Sequence, residues 1–152
     1  MKTHTLPLTS ALLLGLLFVV LGTGCENKRD DSGTLGGMWQ LTEWRATDGT
    51  VAYQKPDTTL YYKVRQNLLM LQELPGETDS YFLTYYRRTP DSLVIGRPYK
   101  IVNNAERDTV LHPITDLRRY GIPASGRLHI DILRSDRMLL SGEEGQLLFR
   151  KY

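Results

Sequence analysis

The sequence is short of the residues on which site chemistry is usually built. Its 152 residues include a single cysteine, Cys25, which excludes an internal disulfide and any zinc site made from paired cysteines. Histidine is also scarce: His4, His112 and His129 are the only three, the last two are not at metal-ligand spacing, and no H-E-x-x-H pattern accompanies them. There is no G-x-S-x-G elbow for a serine nucleophile. "GIPASGR" has two glycines without the Lys and Ser/Thr of a phosphate loop. The carboxylates are scattered, and Glu143-Glu144 reads as a solvated turn. Together these gaps predict a protein that is not an enzyme and needs no metal or other cofactor.

Charge of one sign is missing as well. Nineteen Lys and Arg stand against 17 Asp and Glu, a formal net charge of +2. Among the first 24 residues Lys2 is the only one of these, so the rest is no more basic than the whole. A nucleic-acid partner requires a clustered basic footprint, and none is expected here. Hydrophobic residues make up 41% and charged residues 24%, an ordinary balance for one globular domain. A domain of this size buries about two-thirds of its unfolded surface, enough for a core without staples.

No apolar run reaches the about 20 residues that cross a bilayer as a helix. The longest, "ALLLGLLFVVL" from Ala11 to Leu21, follows a lightly basic start and suits the apolar region of a secretory signal. Small residues Gly22, Thr23 and Gly24 come next, and then Cys25. "LGTGC" resembles a bacterial lipobox, with Gly22 at the position usually held by Leu. The resemblance implies a signal peptide over residues 1–24, cleavage before Cys25, and palmitate-type acyl chains on that cysteine. Two or more chains are needed for stable attachment, each buried CH₂ contributing about 0.8 kcal/mol. An acylated Cys25 could not serve as a nucleophile. It would tie the protein to a membrane of the bacterial cell envelope, the outer membrane being favoured, facing either the periplasm or the surface.

After Cys25, "ENKRDDSGTLGG" shows no hydrophobic period and reads as a polar tether over residues 25–37. As a flexible coil it spans roughly 20 Å. Its acids Glu26, Asp30 and Asp31 resemble export signals of Bacteroidetes surface lipoproteins, or they simply keep the linker soluble.

From Met38 the chain lacks long stretches of helical period. Short runs rich in Tyr, Val, Ile, Leu and Thr alternate with turn residues, which predicts an all-β domain over residues 38–152. "TLYYKVRQNLLMLQEL" is one bulged strand or two, and "SYFLTYYRR-TPDS-LVIG" is a hairpin. In "RLHIDIL", Leu128, Ile130 and Ile132 are expected on one face. "ITDLRRYGIP" holds one short helical turn at about Asp116 to Tyr120, with Thr115 as cap and Gly121 as stop. About eight strands with mostly hairpin connections suit an antiparallel up-and-down β-barrel, or a sandwich.

Gly37-Met38-Trp39 at the first strand resembles the Gly-x-Trp signature of lipocalins and the wider calycin superfamily. With "DLRRYGIP" and the final "LLFRKY", the stretch from Leu35 to Tyr152 resembles the lipocalin-like domain of small Bacteroidetes lipoproteins of unassigned function. That resemblance implies Trp39 plugging the closed end of a barrel, with a basic side chain of the last strand over its ring. Arg150 and Lys151 are both placed for this, and Arg150 is favoured because its planar group stacks better.

Nine tyrosines, including the pairs Tyr61-Tyr62 and Tyr85-Tyr86, are the remaining lead. Neighbouring strand residues face opposite ways, so each pair sends one ring inward. Tyr62, Tyr85 and Tyr86 are therefore candidates to line a pocket for a small hydrophobic ligand. The alternative is a filled barrel that acts through its outer face on an envelope protein or a hydrolase.

Overall fold

Strand alternation carries most of the architecture. A computed structural model describes residues 32–53, 59–75, 80–102 and 109–152; Cys25, the apolar run before it and most of the tether lie outside them. Among the described residues the strands are β1 (Gly37–Arg45), β2 (Val51–Tyr53), β3 (Thr59–Arg65), β4 (Leu68–Leu74), β5 (Ser80–Arg88) and β6 (Ser92–Ile95). They continue with β7 (Tyr99–Val102), β8 (Thr109–Leu111), β9 (Arg127–Leu133), β10 (Arg137–Gly142) and β11 (Gly145–Lys151).

Neighbours pair antiparallel in the order β1-β3-β4-β5-β6-β9-β10-β11, and β11 pairs back onto β1. The result is a closed eight-stranded barrel. Closure removes the unpaired edges that an open sheet would leave. The "TLYYKVRQNLLMLQEL" stretch is two strands, turning at Gln66 with a φ of 55°. The hairpin at "TPDS" is β5–β6, its turn held by Asp91 Oδ1 accepting from both Thr89 and Ser92 hydroxyls.

Three strands lie off the ring. β2 pairs with β1, and β7 carries β8 as a short flap. β6 and β7 run the same way along β5, and the ladder slips between Tyr86↔Ile95 and Leu83↔Tyr99. Thr84 and Tyr85 thus face Gly96, Arg97 and Pro98, a bulge in one continuous strand. The buried Thr84 hydroxyl donates to Gly96 O at 2.9 Å and anchors it.

Two further bulges change which residues point inward. In β1 the register against β11 shifts between Leu41 and Glu43, so Trp39, Leu41 and then Trp44 share the inner face. In β9 the shift opposite Leu139 and Leu140 turns Leu133 toward the core and sets Ile132 beside Leu139 on the outside. Ile132 therefore does not share a face with Leu128 and Ile130, contrary to simple alternation.

The closed end is built around Trp39, which is fully buried. A 3-10 turn at Gly33–Leu35 brings Leu35 O within 2.7 Å of the indole Nε1, which donates to it. The cation over the ring is Lys151, with Nζ 4.9 Å from the centroid and donating to Thr34 O at 3.3 Å. Arg150 is on the opposite face of the strand, exposed, donating to Gln40 Oε1 at 2.6 Å. The expected preference for Arg150 is corrected by parity: Trp39 pairs with Lys151 and Leu41 with Phe149, so Arg150 must face out. Gly37 makes room, because a Cβ there would lie 2.7 Å from Lys151 Cε, and its φ of 118° suits glycine.

At the other end, "ITDLRRY" forms a 3-10 helix from Ile114 to Tyr120. Its N-cap is Pro113 and no side chain caps it, so Thr115 is inside the helix and not the cap. Gly121 ends it in the left-handed region at φ 81°. Leu117, Tyr120 and Ile122 are completely buried and close the barrel from above.

Trp39→Ala is expected to lower unfolding free energy by about 3 to 5 kcal/mol in urea titrations followed by circular dichroism. Replacing Lys151 with Leu should cost only about 0.5 to 2 kcal/mol, the contribution of the cation over the indole. An equal loss from Arg150→Leu would contradict the placement.

Candidate functional site: a cleft at the mouth of the barrel

Among the described residues large side chains pack the interior, and an open cleft lies at the rim. Trp39, Tyr62, Tyr120 and Phe149 are the largest fully buried side chains, packed with Leu71, Met138 and Leu140. Tyr62 stacks at a tilt on Phe149, centroids 4.7 Å apart, and its hydroxyl donates to Tyr120 O at 2.7 Å. Burial pushes the Tyr62 hydroxyl far above the usual tyrosine range. The ring that alternation sends inward therefore ties β3 to the plug.

The three candidate tyrosines do not meet. Tyr85 is 58% exposed on the outer face. Tyr86 is half-buried against the core, its hydroxyl donating to Gln66 O at 2.6 Å in the β3–β4 turn. The structure brings other residues together instead.

On the mouth side, opposite Trp39, a cleft of about 560 Å³ is lined by Trp44, Val51, Ala52, Tyr53, Leu60, Glu73 and Arg119. The β1 bulge turns Trp44 in, and β2 folds beside it to supply Tyr53 at Trp44's own register position. Trp44 is fixed by Nε1 donating to Glu144 O at 2.8 Å. The Tyr53 hydroxyl accepts from Leu60 N–H at 3.2 Å, and partial burial raises its pKa. Leu60 and Glu73 face each other on β3 and β4.

Arg119 comes from the 3-10 plug. Its Nη2 donates to Tyr120 Oη at 3.0 Å and lies 3.6 Å from Glu73 Oε2, while its guanidinium carbon is 5.0 Å from the Tyr120 ring centre. Next to it Arg118 pairs with Glu144 at 2.8 Å. The plug is thus strapped to β4 on one side and to the β10–β11 turn on the other. Exposed pairs of this kind contribute about 0 to 1 kcal/mol each, so apolar packing of Leu117, Tyr120 and Ile122 holds the plug. The cleft offers aromatic and aliphatic walls with one acid and one base at its edge. That suits a molecule with an apolar body and a polar end.

The histidines stay apart, each beside a nearby carboxylate: His112 Nδ1 is 2.7 Å from Asp116 and His129 Nδ1 is 2.9 Å from Asp131. Among the described residues no three His, Cys, Asp or Glu side chains converge as a metal ion would need. No helix among them is long and apolar enough to cross a membrane.

A closed eight-stranded antiparallel barrel, with Gly37-x-Trp39 under a last-strand lysine and a short helical plug, defines a calycin-type β-barrel protein. Comparison with known families agrees, since the lipocalin-like domain matches residues 17–152, and the chain belongs to that family. Among solved structures it is similar to a lipocalin-like protein from Bacteroides uniformis ATCC 8492, at 20% identity and a TM-score of 0.57, over 79% of this chain and 100% of that one. A protein from Bacteroides eggerthii DSM 20697, described as uncharacterized, matches at 17% identity and a TM-score of 0.48, over 77% of this chain and 98% of that one. None of the curated proteins matches the chain.

Tyr62→Phe leaves Tyr120 O without its buried donor and should cost about 1 to 3 kcal/mol in urea unfolding. Tyr85→Phe, on the outer face, should stay within about 0.5 kcal/mol of the parent.

Proposed function

We propose that this protein is a lipid-anchored, non-enzymatic binding module of the bacterial cell envelope, holding a small and largely apolar molecule at the mouth of its barrel. The observation that carries the reading is the 560 Å³ cleft walled by Trp44, Tyr53 and Leu60. Clefts that bury drug-sized molecules fall at about 300 to 1,000 Å³, so the volume is adequate. Membership of the lipocalin-like family supports a ligand-binding role. Glu73 and Arg119 add a requirement for a polar group on the molecule, because neither charge can face a wholly apolar partner without loss.

The anchor rests on Cys25, behind "LGTG" and ahead of a polar tether. The family match starts at Leu17 and therefore spans that stretch. The favoured address is the outer membrane. A second reading, an interaction module with a solid barrel, draws support from the filled interior around Tyr62 and Phe149.

Native mass spectrometry of the protein purified from its host should find a small hydrophobe bound. Ala52→Trp, which fills the cleft from the exposed β2, should lose that mass while keeping the parent circular dichroism. An empty parent protein that brings down one envelope protein would move the assignment to the second reading. For the anchor, Cys25→Ser should abolish cleavage before residue 25 and acyl attachment, so that the processed, acylated form disappears from the membrane fraction; unchanged processing and fractionation would refute lipidation.

A further inference from the structure

The outer wall of the barrel is not uniform. Directly paired strand residues share a face, so the ladders give the surface as rows. One row runs Lys63, Met70, Leu83, Tyr99, Leu111 across β3, β4, β5, β7 and β8. Beside it Leu68 pairs with Tyr85, and on the other side Tyr81 pairs with Ile101. Tyr85 is 58% and Leu111 43% exposed. Between Leu83, Tyr85, Tyr99 and Ile101 runs a shallow groove of about 310 Å³, opened by the β6–β7 bulge.

Cations border this stripe toward the Trp39 end. Arg65 extends the Leu68–Tyr85 row, and the next row is Arg87, Val94, Arg127. Arg65, Arg87 and Arg127 are all exposed. Among the described outward positions of β3 to β8 there is no Asp or Glu. An apolar stripe containing tyrosines with a one-sided basic rim is the composition of a surface that rests in the headgroup region of an anionic bilayer.

We propose that the outer face of β4, β5 and β7 lies on an anionic lipid surface, with Tyr85 and Leu83 at the apolar boundary and Arg65, Arg87 and Arg127 among the headgroups. Charge complementarity selects this occupant. A second copy is disfavoured, because the same face brings no carboxylate from its described strand positions to meet this basic rim. The chain outside the described residues agrees, and here the inference rests on the lipidation reading. Seven Cα–Cα steps separate Cys25 from Ser32, which enters the barrel at the Trp39 end through the Gly33–Leu35 turn. Fully extended they reach about 25 Å, so an acylated Cys25 keeps the basic end of this face close to the bilayer.

The test uses the chain from position 25 onward, free of the apolar run Ala11–Leu21 that would itself enter any vesicle, with Cys25→Ser and one further cysteine at Tyr85→Cys or at Gln146→Cys, labelled with an environment-sensitive fluorophore. Gln146 is exposed on β11, across the barrel from β5. The probes are vesicles of phosphatidylcholine alone and of phosphatidylcholine with phosphatidylglycerol at 3:1. The label at position 85 should brighten and shift to the blue only on the anionic vesicles, while the label at 146 stays unchanged. Arg65→Gln and Arg87→Gln should each weaken that contact roughly fivefold, and Arg150→Gln should leave it intact. Equal responses at both positions, or none at either, would overturn the proposal. So would a concentration-dependent response without vesicles, which assigns a second copy, or the same response to polyglutamate, which assigns an acidic protein. Because every variant lacks the Cys25 thiol, failure here is distinct from failure of lipidation, which fractionation reads.

Discussion

Trp39 is gripped from three directions, and each grip involves a different part of the chain. Leu35 O accepts a hydrogen bond from the indole N–H, the Lys151 ammonium sits over the ring, and Tyr62 lies opposite Trp39 in the β1–β3 ladder. An indole buried without a partner for its N–H would be costly. The short 3-10 turn exists where it can supply that partner, and Gly37 exists where a side chain would push Lys151 away. The β1–β11 ladder then has a fixed register, and with it the ring closes.

Filling the barrel changes what kind of site the fold can hold. A hollow calycin encloses its ligand; here Tyr62, Phe149 and the plug residues Leu117 and Tyr120 occupy that space. Open space of a size to hold a small molecule lies at the mouth, where β2, the rims of β3 and β4, and the 3-10 helix meet. A molecule placed there would keep one side in water, with Glu73 and Arg119 beside it. It also leaves the outer wall free for a separate task, so the two ends and the side of one small barrel can serve different contacts.

Much of the fold is legible in the sequence because it follows alternation and turn chemistry. "SYFLTYYRRTPDSLVIG" reads as the β5–β6 hairpin, and Gly37-x-Trp39 marks the closed end. Alternation fails wherever a bulge inserts a residue. Trp44 is out of phase with Trp39 and Leu41 until the β1 bulge turns it inward, and Ile132 and Leu133 exchange faces in the same way. The cleft was hidden for this reason, and because Trp44, Glu73 and Arg119 come from three distant segments. The choice between Arg150 and Lys151 needed the register of β11, which stacking chemistry alone cannot supply. Cys25 and the run before it lie outside the described residues, so their reading rests on sequence.

The join between β1 and β11 has a consequence for how the protein is made. It pairs Gln40 with Arg150, 110 positions apart, and ties one of the first-translated strands to one of the last. Hairpins such as β3–β4 can form as soon as they emerge, but the ring cannot shut until β11 is present. Contacts of such long sequence separation make folding slow, in the range of milliseconds to seconds for β-rich domains. A chain that stays open through its synthesis remains threadable until β11 has emerged, and it acquires its closed shape only once both partners of that join are present.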